Sequence, residues 1–282
     1  MQEVEGAGKI VPAIPHELSA YPFSRGQGAH VQHYMRYVLP IQYLLANPSI
    51  ERFIFEYAHT STSARSAMCL LSAVHQQRMR QIAYPGGGAA VDETEMNELL
   101  QQTSRLLRRE EGAPYTDGDA MAGLHVVSSY LFMGGHGRWS VYLGVALYWV
   151  GGVLTDRRFM GPLDAYRNCS ESVQFIIRTT MWFDVWSAVT GRTRPRFCEF
   201  YRQLFEGEHG YGNTGPGQVD MLSVMGCTNE TVLAMSETAA LAHWKDMHTR
   251  QGDLSTPCLV EKGCEVRARQ TGGHQDLTSF AD

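Results

Sequence analysis

The sequence predicts an all-α fold, an irregular multi-helix array around a central aromatic-rich helix with essentially no sheet. Apolar residues recur at helical spacing in most of the chain. No segment shows the period-two alternation, bounded by hairpin turns, that is typical of strands. No fixed repeat of about 34 or 40 residues indicates a helical solenoid, so an irregular array is the predicted architecture.

The composition predicts a globular chain with a sizeable core. Of its 282 residues, 44% are hydrophobic and 19% are charged, which excludes a disordered tail. Prolines and glycines near the start predict an irregular leader over residues 1–27. An α-helical domain is expected over 28–270, followed by a frayed polar tail over 271–282.

Charge, cysteine spacing and hydropathy exclude several classes of function. The formal charge of −5 argues against direct nucleic-acid binding, because nonspecific affinity for DNA comes from Lys and Arg that neutralise phosphates. The six cysteines form no CxxC pair, which excludes a Zn2Cys6 cluster within these residues and predicts reduced thiols in an intracellular protein. No signal peptide is visible. The most apolar run, 141–154, is shorter than the ~20 residues of a membrane span, so no membrane association is expected.

Six helices are predicted before the central one. Apolar spacing predicts a helix over 29–46, which Pro40 is expected to kink or split, and then a helix pair over 49–59 and 63–84. Three more helices each follow a glycine-containing break. The first begins at a capping box of Asp92 and Glu95 and runs toward Arg109, the second covers 120–133 with Asp119 as its cap, and the third covers 139–153.

Residues 172–197 predict the central core helix. Apolar side chains cover almost its whole circumference, as expected for a helix that packs on several sides. Gly191 fits the left-handed position that ends a helix, and Pro195 prevents continuation. Arg192 and Arg194 suit the negative end of the helix dipole.

Asp184 interrupts this apolar helix. A carboxylate there has to be paired or hydrogen-bonded, because burial of even an uncharged polar group without a partner costs about 2–7 kcal/mol. The basic residues nearest in sequence are Arg178, Arg192, Arg194 and Arg196. Loss of the carboxylate is expected to destabilise the domain rather than abolish a reaction.

Shorter helices and a loop are predicted in the last third. Residues 195–205 are expected to form a short helix, and the glycine-rich stretch 207–217 a long flexible loop. Thr228 predicts the start of a strong helix to about Met247. A brief helix, with Thr256 as its N-cap, is expected to end near residue 269.

Two runs carry a resemblance to a known family. They are MWFDVWSAVTGRTRPRF at 181–197, with Tyr201 and Leu204 after it, and VMGCTNETVLAMSETAALAHWK at 224–245. In pattern and order they resemble the regulatory domain of fungal-specific transcription factors, the second of the two large families. The resemblance covers roughly residues 28–245 and also includes the opening helix.

The resemblance implies a function in the regulation of transcription. It implies a non-enzymatic, all-helical domain that acts in the nucleus, through protein partners of the transcription machinery or a small-molecule effector. In this family a Zn2Cys6 DNA-binding module normally precedes the domain. Homodimers are compatible with the class, although no residue pattern in this sequence specifies one.

Patterns that suggest chemistry have simpler structural interpretations. Asp117 and Asp119 lack the downstream Gly and Glu of an EF-hand and are interpreted as a turn and a cap. His243 and His248 are five residues apart, whereas a zinc-binding helix uses i and i+4. His136 has no nucleophile motif beside it, and no P-loop or aspartate-rich motif occurs. The sequence therefore predicts no catalytic residue, no metal site and no cofactor.

Aromatic residues and their polar neighbours form the candidate site. Core packing is the simpler interpretation, and the alternative is a cavity for an apolar effector with one polar anchor. An all-α small-molecule-binding protein or enzyme with an aromatic-lined pocket is the second hypothesis for function, and a scaffold without regulation is the third. The candidate residues are Trp139, Trp149, Arg178, Trp182, Phe183, Asp184, Trp186 and Arg192.

Overall fold

Helices make up the regular structure of the described residues. The computed structural model describes residues 23–45, 48–83, 93–110, 112–205 and 219–270. These ranges contain α-helices, one π-helical segment and no strand, which confirms the all-α prediction. The α-helices are α1 Arg25–His33, α2 Leu39–Gln42, α3 Pro48–Thr60, α4 Thr62–Ala83, α5 Thr94–Leu107, α6 Asp117–Phe132, α7 Trp139–Leu154, α8 Pro162–Asn168, α9 Glu171–Gly191, α10 Cys198–Phe205, α11 Met221–Met225, α12 Asn229–Gln251 and α13 Thr256–Gln270.

The helices pack largely in chain order. α4 packs on α1, α5 and α6, and the array continues through α7, α9 and α12 to α13. Helix α9 joins two clusters of buried side chains. Phe175 and Ile176 belong to the cluster formed with α3, α4, α6 and α7, whereas Met181 and Val185 belong to the cluster formed with α10, α11 and α12. The predicted central helix therefore connects the two halves of the core.

The expectation that α9 is apolar and buried all round is corrected near its end. Trp186 and Val189 are each 41% exposed. Helices α4 and α6 are the more deeply buried, with unbroken buried runs from Ser66 to His75 and from Gly118 to Ser129. Small side chains in α6 let its neighbours approach closely, which apolar periodicity alone does not indicate.

The first predicted helix divides before Pro40. It begins after Ser24, whose side chain forms a capping box with Gln27. A π-helical segment, Tyr34–Val38, then leads into α2. Because proline cannot donate the next helical hydrogen bond and its ring clashes with the preceding turn, a change of hydrogen bonding is expected at this place.

Two predicted helix caps are corrected. Thr116 caps α6, because its hydroxyl oxygen accepts a hydrogen bond from the N–H of Asp119, the third residue of the helix, at 3.2 Å. The Asp119 carboxylate accepts from the Thr116 N–H at 2.9 Å in return. Helix α13 includes Thr256, and the preceding Ser255 accepts a hydrogen bond from the Cys258 N–H through its hydroxyl. Both caps lie before the residue that spacing alone selected.

Sequence periodicity missed two short helices, α8 and α11. Each has seven residues or fewer, too few to establish a 3.6-residue period.

Some predictions lie outside the described residues. They concern the leader up to residue 22, the break at 85–88, Asp92 of the capping box, the loop at 207–217 and the tail at 271–282.

Helix α9 ends at Gly191, and the left-handed residue that follows its end is Arg192. Arg192 has φ 51° and ψ 45°, the left-handed conformation, and its N–H donates to the Ala188 carbonyl. Gly191 stays inside the helix, so the predicted left-handed position is wrong by one residue. A side chain in this conformation costs about 1–2 kcal/mol, since its Cβ approaches the following carbonyl oxygen.

Arg192→Gly is expected to raise the free energy of unfolding by about 1 kcal/mol, since glycine adopts this conformation without the Cβ penalty. Urea denaturation monitored by circular dichroism measures the change. Arg192→Ala is the matched control, because it removes the charge but keeps Cβ, and no gain is expected. Equal stabilities of the two variants would contradict the strain argument.

Candidate functional site

Asp184 lies where α9 meets the segment that leads into α10. Its side chain is buried, and its two oxygens accept hydrogen bonds from the N–H groups of Arg196 and Phe197 at 3.1 and 3.2 Å. The Tyr201 hydroxyl donates a third hydrogen bond at 2.6 Å. Burial raises the pKa of the Asp184 carboxyl, although these hydrogen bonds and the nearby Arg196 oppose the rise.

The predicted pairing of Asp184 with arginine side chains is corrected. Arg178 donates to the carbonyl oxygens of Gln174 and Asp220 instead. Arg194 lies 3.5 Å from a Glu199 oxygen, and the guanidinium of Arg196 lies over the Phe197 ring. Backbone amides after Pro195 satisfy the carboxylate because the chain turns back toward α9 there.

Helix α10 ties α9 to α12 through two polar contacts. Tyr201 bonds to Asp184 of α9, and the next residue, Arg202, donates to Glu237 of α12 at 2.6 Å. The Glu237 side chain is fully buried. Since both contacts start from one helical turn of α10, the spacing of α9 and α12 is coupled to its position.

Between α9 and α12 lies a groove of about 420 Å³. The buried alanines Ala188 and Ala239 line it, together with Trp186 and Val189, which are partly exposed. None of the described residues that line the groove is acidic. The complete lining is Trp186, Ala188, Val189, Arg192, Thr231, Ala234, Met235, Thr238, Ala239 and Ala242.

Two of the predicted site residues, Trp186 and Arg192, line this groove. Trp182 supports Trp186, because the two indole rings meet edge to face with centroids 5.5 Å apart. The structure thus brings three members of the predicted site to the C-terminal part of α9.

The other predicted aromatic residues lie elsewhere. Trp139, Trp149 and Phe183 are half-buried and pack against the cluster formed by α3, α4, α6 and α7, and Trp149 also contacts the second cluster. Asp184 and Arg178 do not line the groove. Within the described residues, the predicted set therefore does not line one common cavity.

Sequence reasoning missed the α12 side of the groove. Residues 231, 234, 238 and 242 are small and recur every three or four positions, so they share one face of α12. That spacing was the available signal. It became informative only once α9 was known to pack opposite this face, because small side chains then leave space between the helices.

The polar patterns noted in the sequence have structural partners. In the described ranges, no group of three or more His, Cys, Asp or Glu residues is placed to hold a metal ion. His243 Nδ1 lies 3.2 Å from the carbonyl oxygen of Arg192, and His248 Nδ1 lies 2.8 Å from a carboxylate oxygen of Asp253. His136 is exposed between α6 and α7. Helices of sufficient length and apolarity to cross a bilayer are absent from the described part of the chain.

Asp119 stabilises the start of α6. Its carboxylate accepts hydrogen bonds from the Thr116 N–H and hydroxyl, from Ser63 and from Arg109. Burial alone raises the pKa of Asp119, but these hydrogen bonds together hold it below the usual value. This residue, with Asp117 beside it, therefore belongs to a helix cap rather than to a metal loop.

The helical array and its groove define the class, an all-α domain with an open interhelical groove. The family model described as fungal specific transcription factor domain matches residues 29–272, and the chain belongs to this family. Membership indicates a regulatory role in transcription. The match begins one residue after the resemblance noted in the sequence and extends further toward the C-terminus. No curated protein and no solved structure matches the chain.

Proposed function

We propose that this chain is the regulatory domain of a fungal transcription factor that acts in the nucleus through protein partners or a small-molecule effector, without catalysing a reaction. The observation that carries the proposal is the family match over residues 29–272. Contact with DNA is assigned to a separate module, such as the Zn2Cys6 module normal for the family, because this chain has a net charge of −5. The regulatory domain itself is placed at residues 28–270.

Regulation of this kind needs two helix packings with different affinities for the effector. The contacts of α10 favour such a device, because Tyr201 and Arg202 connect it to α9 and α12. A partner or effector that changes the spacing of α9 and α12 then also acts on α10. The groove between the two helices offers a place at which such a change can be imposed.

A reporter assay in yeast tests the proposal. The full chain is fused to an unrelated DNA-binding module that does not activate transcription by itself. Expression of the reporter gene is then expected to change relative to the module alone, in either direction. The fusion protein is also expected to concentrate in the nucleus without a nuclear signal on the module.

The control in this assay is the chain with Asp184→Ala, which is expected to lose the effect because the domain is destabilised. The purified chain alone is expected not to bind DNA fragments at physiological salt. A folded fusion of normal abundance that leaves reporter expression unchanged would overturn the proposed function.

A further inference from the structure

The groove between α9 and α12 combines an apolar body with one unneutralised positive charge. Arg192 is exposed at the end of α9 and lines the groove. Among the described residues Arg192 forms hydrogen bonds through its backbone N–H and carbonyl oxygen, its guanidinium forms no ion pair, and no acidic side chain lines the groove. An exposed cation beside an apolar surface is complementary to a ligand that carries an anion at one end of an apolar chain.

The backbone of Arg192 is fixed, so the charge has a defined position. Its N–H donates to the Ala188 carbonyl, and its carbonyl oxygen lies 3.2 Å from His243 Nδ1 of α12. Arg192 is also the only non-glycine residue with positive φ in the described chain. The contact with His243 therefore connects α9 and α12 at the end of the groove where Arg192 lies.

The size and walls of the groove favour a small ligand. A volume of about 420 Å³ lies within the range of about 300–1,000 Å³ found for small-molecule sites. Trp186 and Val189, which are each 41% exposed, form part of its apolar wall. Thr238, which is exposed, adds a hydroxyl on the α12 wall.

We infer that this groove binds an apolar carboxylate, with the carboxylate on Arg192 and the hydrocarbon along Trp186, Val189 and Met235. A carboxylate matches the fork of N–H donors of a single guanidinium, and its one negative charge equals the one available positive charge. The inference rests on the proposed function, for which it names the effector class. The ligand would span α9 and α12, the two helices that α10 already connects.

Calorimetric titration of the full chain with decanoate, below its critical micelle concentration, tests the inference. Decanol is the neutral comparison of equal chain length, and decyltrimethylammonium carries the opposite charge. Saturable binding with one site is expected for decanoate. Its affinity is expected to exceed that of decanol by about tenfold, as for one hydrogen-bonded charge, and the cation is expected to bind least.

Two variants separate the anchor from the apolar walls. Arg192→Gly is expected to lower the affinity for decanoate about tenfold and to leave the affinity for decanol unchanged. Because this variant should be more stable than the wild type, unfolding cannot explain the weaker binding of decanoate. Thr238→Trp, at an exposed position, fills the groove and is expected to weaken both ligands. Arg157→Gln removes an exposed arginine outside the groove and should bind as the wild type does.

Equal affinity for decanoate and decanol, or undiminished decanoate binding by Arg192→Gly, would overturn the carboxylate site. The carboxylate site is also overturned if decanoate fails to bind and an acidic amphipathic helical peptide binds instead. If Thr238→Trp abolishes binding of that peptide, the groove belongs to a protein partner. If the fusion changes reporter expression but the chain does not bind decanoate, this site alone is refuted. If the folded fusion leaves reporter expression unchanged, the proposed function is refuted instead.

Discussion

Asp184→Ala is expected to lower the free energy of unfolding by about 3 kcal/mol or more. The substitution leaves the buried hydroxyl of Tyr201 and the partly buried N–H groups of Arg196 and Phe197 without their acceptor. Each unsatisfied buried donor costs about 1–3 kcal/mol. Urea denaturation at neutral pH, followed by circular dichroism, measures the difference between the two proteins.

The control for Asp184→Ala is Glu261→Ala, which removes an exposed carboxylate from α13. A change within about 0.5 kcal/mol is expected for such a surface position. Tyr201→Phe completes a double-mutant cycle, because it removes one of the three donors. If Asp184→Ala is as stable as the wild type, the Asp184 carboxylate does not accept the hydrogen bonds that hold the segment after α9 against this helix.

The pH dependence of stability has a definite sign at this residue. Burial raises the pKa of Asp184 in the folded state, so the folded protein binds the proton more tightly than the unfolded chain does. The proton-linked part of its contribution is therefore present below the unfolded pKa of about 3.9 and is lost as pH rises through the folded pKa. The three hydrogen bonds that the carboxylate accepts remain at neutral pH. Asparagine does not ionise, so Asp184→Asn is not expected to lose stability in this way as pH rises. The pKa of Asp119 is lowered, so its contribution to stability changes with pH in the opposite direction, in the wild type and the variant alike.

Much of the fold was predictable because the long helices carry local signals. The helix over 49–59 lies within one residue of α3 at each end, and Thr228 caps α12 as its sequence indicates. Helix ends were less certain where a tertiary contact decides them. Glycine is the usual left-handed residue, yet Arg192 takes that conformation, with its carbonyl oxygen against His243 of a helix some fifty residues away.

The candidate site was predictable only in part. The chain pattern indicates that Asp184 needs partners, but charge spacing selects arginine side chains and cannot indicate the backbone amides of Arg196 and Phe197. Those amides are available because the chain after α9 folds back on it. The groove likewise depends on which face of α12 meets α9, and that is a property of the packed structure.

Close packing of α6 was the other feature that periodicity did not predict. Its Gly123 lies against α7, where an added Cβ would stand 2.5 Å from the backbone carbonyl oxygen of Tyr142 and 3.5 Å from Val145 Cβ. A backbone atom cannot move aside as the end of a flexible side chain can. The absence of a side chain at this position therefore sets how closely the two helices approach.

Gly123→Ala is expected to lower the free energy of unfolding by about 2 kcal/mol, a typical cost of inserting a methyl group into a closely packed core. Alanine is the better helix former by about 1 kcal/mol, so the clash has to exceed that gain. Gly144→Ala in α7 is the matched control, because nothing lies within 4 Å of its added Cβ. That control is expected to gain up to about 1 kcal/mol. Changes of the same sign in the two variants, measured by urea denaturation, would contradict contact between α6 and the Tyr142 carbonyl, because helix propensity alone then accounts for both.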